Sequence, residues 1–143
     1  VQDHAYFAAG VEPHIDDDTV RYLGAVGPEE RDRLLGGAAA LLHPIGFEEP
    51  FGLSVVEAMA CGTPVIAFRR GAMPEVIRHG VTGFLVDSVE EAVAAVARLG
   101  EVERRACRRW VGERFSQRRM VHDYLEVYER ILSGEPKARR VAV

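Results

Sequence analysis

An α/β domain, with a parallel sheet and helices layered against it, is the fold that this sequence predicts. Three observations carry the expectation. Short apolar runs bounded by Gly and Pro alternate with stretches of helical periodicity, and only a few residues join them. Parallel strands need a crossover, and a helix is the usual one. The 143 residues, 48% apolar and 28% charged, have the length and composition of one ordinary globular domain.

Taken in order, the first helix is expected over residues 3–11, ended by Pro13 and the acidic run Asp16-Asp17-Asp18. A first strand is expected at Thr19-Val20-Arg21-Tyr22-Leu23, closed by Gly24. Pro28 with Glu29 and Glu30 suits a helical first turn, where the missing N–H costs nothing and carboxylates favour the dipole; that helix runs to about Gly36. A second strand, 39–43, stops at Pro44. After a Gly/Pro/Glu-rich loop, a helix is expected over 53–61, ended by Gly62-Thr63-Pro64, and then a strand over 65–68. A short helix over 74–78, a fourth strand over 83–86 and a helix capped by Ser88 complete the layered part.

The last third has no strand signal. Ala106, Trp110, Val111 and Phe115 recur at helical spacing, as do Val121, Tyr124, Leu125, Tyr128, Ile131 and Leu132. Two amphipathic helices are therefore expected, lying against the sheet or a partner domain, with their arginines on a solvated face. Residues 1–132 form the expected domain, and the patternless tail 133–143 is expected to be disordered.

Composition excludes several classes. No apolar run approaches the ~20 residues that span a bilayer, and residues 1–10 lack the pattern of a signal peptide. A net charge of −4 argues against nucleic acid as a partner. Cys61 and Cys107 read as small buried hydrophobes in a reducing, cytoplasmic setting. The five histidines show no zinc spacing, so no metal is expected; His43 reads as a structural residue beside the cleft. Asp16 to Asp18 read as a solvated turn. Glutamates among the late arginines dilute any membrane-surface contact.

The chemistry is expected in one loop. In a parallel α/β sheet, ligands bind at the carboxyl ends of the strands, against helix N-termini. Gly46 and Gly52 let the 44–52 loop turn sharply into the next helix, whose first amides, at Leu53, Ser54 and Val55, form an anion site by geometry. Ser54 and Glu57 are three apart and share a helix face, so Glu57 is placed to accept ribose hydroxyls. Glu49 would face whatever lies beyond the phosphates, holding sugar hydroxyls or stabilising positive charge on a sugar ring. Taken singly, such glutamates are also ordinary solvated residues.

The string Glu49-Pro50-Phe51-Gly52-Leu53-Ser54-Val55-Val56-Glu57-Ala58-Met59-Ala60-Cys61-Gly62-Thr63-Pro64-Val65-Ile66-Ala67 closely resembles the donor-site signature of group 1 (family 4) retaining glycosyltransferases. The resemblance runs over about residues 2–132. It takes in Val20 to Gly24 before the nucleobase site, Gly71 through Glu75 as Gly-x-x-x-Glu, and Gly80 through Val86 as Gly-x-x-Gly-x-Leu-Val. It implies the GT-B architecture, two Rossmann-like lobes facing across a cleft, with this chain as most of the C-terminal, donor-binding lobe, its first strands missing.

By that resemblance Glu57 binds the ribose and Glu49 the transferred sugar, as the catalytic glutamate. Phe51, Gly52, Leu53 and Ser54 hold the sugar and diphosphate through their backbone, and Val26 flanks the base. The implied reaction is transfer of a sugar from a nucleotide-diphosphate sugar with retention, without a further cofactor. The partner would be an N-terminal acceptor-binding lobe of the same enzyme. The family's upstream Gly-Arg strand and Lys have no match here, Pro50 removes one loop N–H, and Glu48 adds a charge. The chain alone is therefore expected to be inactive. A non-catalytic nucleotide-sugar-binding module and a purely structural α/β domain stay open as alternatives. Sugar, base and acceptor are not specified by these residues.

Overall fold

Three apolar runs pair into one parallel sheet. Leu41–His43 (β1) lies beside Val65–Phe68 (β2), which lies beside Gly83–Val86 (β3). Leu42 is opposite Ile66, and Ile66 opposite Phe84. The central and last strands are buried almost throughout, as continuous Val/Ile/Leu/Phe runs in parallel sheets should be. Each crossover is helical: α3 (Leu53–Ala60) joins β1 to β2, and α4 (Met73–Val76) joins β2 to β3. α5 (Val89–Val96) follows β3, with the Ser88 hydroxyl accepting from the Glu91 amide at 3.2 Å, the expected cap. The predicted α/β class is the observed one.

The computed structural model describes residues 2–134, so the tail expected from 133 lies, beyond Gly134, outside the described residues. The chain divides into two units, Val1–Arg31 and Asp32–Val143. The core belongs to the second: Val55, Met59, Val65, Ile66, Met73, Phe84 and Cys107 are all but fully buried. α6 (Arg104–Arg114) packs against α3, contributing Cys107 and Val111 to that core. Its arginines are not simply solvated. Arg104 donates to the carbonyls of Gly36 (2.7 Å) and Ala38 (2.8 Å) and to the Thr63 hydroxyl (3.0 Å), while Arg108 donates to the Cys61 carbonyl (3.0 Å). They cap the carbonyl ends of α2 (Pro28–Gly37) and α3.

One expected strand is corrected. Residues 19–23 form no strand. Asp16 Oδ1 accepts from the amides of Asp18, Thr19 and Val20 at 2.7–3.0 Å, and the Val20 carbonyl accepts from the Asp16 and Asp17 amides at 3.1 Å. Both backbone groups of Val20 are thus committed to a turn, and no described strand pairs with this run. The side chains of Val20, Tyr22 and Leu23 stay exposed. The first unit is otherwise α1 (Gln2–Gly10) and a 3-10 turn, Glu12–His14. In the second unit, α7 (Gln117–Leu132) buries no residue and leaves Tyr124, Leu125, Tyr128 and Ile131 all more than half exposed. Of the two expected places for the late helices, α6 takes the one against the sheet domain, and the apolar face of α7 is uncovered among the described residues.

Candidate active site

The chain leaves the carboxyl end of β1 at His43 and crosses residues 44–52 to enter α3. Gly52, the residue before the helix, sits at φ +84°, ψ +62°, a left-handed conformation that a side chain resists. A Cβ there would also meet Met73 Cε at 2.6 Å. That turn redirects the backbone so that α3 starts at the sheet's carboxyl edge. Val55 and Val56 amides return to the Gly52 carbonyl, at 3.0 and 3.2 Å. The amides of Leu53 and Ser54 have no hydrogen-bond partner among the described residues, and both residues are exposed. Two donors without partners thus stand at the positive end of a helix dipole, at the place where an anion cradle is expected.

Glu49 is half-buried and folded back on its own loop. Its Oε1 accepts from the Gly52 amide at 3.0 Å and, more loosely, from the Phe51 amide at 3.4 Å. The amides of Phe51 and Gly52, expected to face sugar and phosphates, are therefore engaged by Glu49. The second carboxylate oxygen, Oε2, accepts from no described donor. The Phe51 ring turns toward α6, edge-on to Phe115 at 5.9 Å, with Phe115 in turn edge-on to Trp110 at 6.4 Å. Trp110 Nε1 donates to the Val76 carbonyl at 2.8 Å, which fixes the cluster from the other side. The Phe51 ring is thus held against the end of α6.

Glu57 lies one turn into α3, half-buried, three residues beyond Ser54 and on its face. Glu49, Phe51, Gly52, Leu53, Ser54 and Glu57 are brought together in one loop and the first turns of one helix. Val26, expected beside the base, belongs to the first unit, half-buried between the left-handed Gly24 and α2. His43 shares the pleat of Leu41 rather than that of Leu42; its Nε2 is enclosed without a hydrogen-bond partner, where a satisfied structural histidine was expected.

Residues 70–72 carry a part of the site that sequence reasoning missed. The Gly71 amide donates a short hydrogen bond to Glu48 Oε2. The Ala72 amide donates to the Glu49 carbonyl at 2.8 Å, and Arg70 Nη1 to the Gly46 carbonyl at 3.3 Å. Gly71 has φ +54°, and a Cβ on it would collide with the Glu49 backbone. Glu48, expected to crowd the phosphates with charge, instead ties the loop to the next crossover. The signal in the sequence was Gly71 itself, three residues after β2 and the first residue of the Gly-x-x-x-Glu element, whose contact with the loop the motif did not reveal.

The metal expectation concerned histidines. The one cluster of ligating side chains among the described residues is His122, Asp123 and Glu126 on α7, an exposed group in which Asp123 is already paired with Arg119 at 2.8 Å. It takes no part in the 44–57 site.

The chain resembles known proteins in sequence and in fold. The model of the glycosyl transferases group 1 family matches residues 14–113. The chain is 34% identical over 125 residues to a D-inositol 3-phosphate glycosyltransferase of Saccharomonospora viridis, covering 82% of this chain and 29% of that protein. It is 33% identical over 134 residues to an N-acetyl-alpha-D-glucosaminyl L-malate synthase of Bacillus anthracis, covering 88% and 34%. Among solved structures it resembles Anabaena HepE in complex with UDP-glucose, with a TM-score of 0.65 and 26% identity over 92% of this chain and 36% of that one. The chain thus spans about a third of the length of these relatives. With the family model matched across both glutamates, the cradle and the flanking strands, this chain belongs to the group 1 glycosyl transferases.

Proposed function

We propose that this chain is the donor-binding lobe of a retaining glycosyltransferase, holding a nucleotide-diphosphate sugar across the start of α3. The amides of Leu53 and Ser54 take the diphosphate, and Glu57 the ribose hydroxyls. Glu49, with Oε1 held by its own loop, presents Oε2 to the hydroxyls of the transferred sugar and to the positive charge that grows on its ring during transfer. Acceptor binding falls to a second lobe, and the apolar face of α7 is the surface assigned to it.

One observation carries the reading. A left-handed glycine opens a helix at the carboxyl edge of a parallel sheet, leaving two amides without partners and two glutamates, with seven residues between them, on either side. That HepE, similar over most of this chain, was crystallised with UDP-glucose supports the ligand class.

Calorimetry with UDP and UDP-glucose, and with other nucleoside diphosphates and their sugars, tests the division of labour. Glu57→Ala is expected to weaken both bare and sugar-bearing nucleotide by tenfold or more, since a hydrogen bond to a charged group contributes roughly 1.5–3 kcal/mol. Glu49→Ala is expected to leave bare nucleotide nearly unchanged and to weaken the nucleotide sugar. Equal losses of bare nucleotide in both variants would place both glutamates on the nucleotide and end this assignment.

A further inference from the structure

We propose that Glu48 is a positioning residue for Glu49, a latch that fixes the direction in which the Glu49 carboxylate faces the donor sugar. The proposal rests on the reading of Glu49 given above and adds a residue to it. Loop 44–52 is mostly exposed, and nothing in its own sequence holds one conformation: it contains two glycines and two prolines, with only the Glu49 side chain bonding back on it. Its shape is imposed from outside, by the turn after β2. Three successive residues there each hold one point of the loop: Arg70 on Gly46, Gly71 on Glu48, and Ala72 on Glu49.

These three points are not equivalent. The Ala72 amide holds the Glu49 carbonyl, and a single hydrogen bond leaves the loop free to pivot about it. Arg70 reaches the Gly46 carbonyl, three residues before Glu49, through a long, exposed side chain at 3.3 Å. The Glu48 carboxylate on the Gly71 amide is the charge-assisted bond, immediately before Glu49, and it removes that pivot. With the Glu48 side chain and the Glu49 carbonyl both held, Glu49 reaches the Gly52 amide with one oxygen and keeps the other for the sugar.

Gly71 makes the latch possible. Its missing Cβ lets the turn approach the Glu49 backbone, and its φ of +54° aims the amide at Glu48. A reacting group displaced by about 1 Å costs on the order of 100-fold in rate, so a latch remote from the sugar still bears on transfer.

Hydrogen exchange and calorimetry on the full chain test this. In Glu48→Ala, the Gly52 amide is expected to exchange at least tenfold faster, because Glu49 no longer holds it steadily. UDP affinity is expected to stay within twofold of wild type, while UDP-glucose affinity falls to that of Glu49→Ala. Glu48→Gln, whose amide oxygen still accepts from Gly71, is expected to restore much of both. Adding Glu48→Ala to Glu49→Ala is expected to change nothing further.

Unchanged exchange at Gly52 in Glu48→Ala would overturn the latch. So would equal losses of UDP and UDP-glucose, which would mean a collapsed loop, or a failure of Glu48→Gln to rescue. A wild-type chain that binds neither ligand would overturn the donor-site reading and the role given to Glu48 with it. The Gly52 exchange result would still report separately on whether Glu48 holds the loop.

Discussion

Single side chains here do their work by satisfying backbone groups that the fold leaves open. Glu49 binds the amide before α3, Glu48 an amide across the crossover, Arg104 and Arg108 the carbonyls at helix ends, and Asp16 three amides of its own turn. For Asp16, hydrogen bonds from the Val20 and Asp18 backbone hold the carboxyl below the usual aspartate range. A depressed folded value stabilises the turn above the ordinary aspartate pKa, and that contribution is lost as the pH falls through the lower folded value. On acid titration followed by NMR, the Val20 amide is therefore expected to shift with Asp16 below the ordinary aspartate range. Asp16→Asn is expected to abolish that pH dependence, and a persistent titration at Val20 in the variant would place the charge elsewhere. Residue placements were legible where neighbours in sequence share a helix face, as Ser54 and Glu57 do. Glu48 was not, because its partner lies 23 residues on.

Elements were legible where periodicity and boundary residues agreed, and less so where pairing decides. β2, β3 and the Ser88 cap stand as expected, because buried β-runs and a serine before an apolar helix are local signals. Residues 19–23 carry the same β-branched and aromatic signal, but β-propensity describes a fit to a neighbouring strand, and the Asp16 turn captures Val20 instead. The arginines of α6 show the converse: a pattern read as a solvated face conceals long-range caps. Arg104→Ala is expected to lower unfolding stability by about 1–2 kcal/mol, since it leaves the Gly36 and Ala38 carbonyls unpaired at an exposed site. Arg104→Lys is expected to recover little of this, because an ammonium cannot span two carbonyls and a hydroxyl as the guanidinium fork does. Urea unfolding of the three proteins measures it, and an unchanged midpoint in Arg104→Ala would contradict the capping role.

At the scale of the whole molecule, the second unit places its chemistry at one edge and leaves two apolar surfaces elsewhere. One is the face of α7. The other is a groove of about 200 Å³ between the sheet and α5, lined by Leu42, Phe68, Val89 and Val93 among others. Neither touches the cradle, whose parts all come from the β1–α3 and β2–α4 connections. The fold class and the left-handed turn into α3 followed from alternating strand and helix signals and a glycine-rich connection, both written locally. The support beneath the loop, from Phe115 to Gly71, arises only when distant crossovers are brought together by the sheet.

The central claim is that the open start of α3 receives the diphosphate of a nucleotide sugar. Amide NMR of the chain during titration with UDP tests it most directly. The largest saturable shifts are expected at Leu53 and Ser54, the two amides without partners, with Gly52 moving less because Glu49 already holds it. Shifts at saturating UDP that centre on α7 or the α5 groove, with Leu53 and Ser54 unmoved, would contradict the claim.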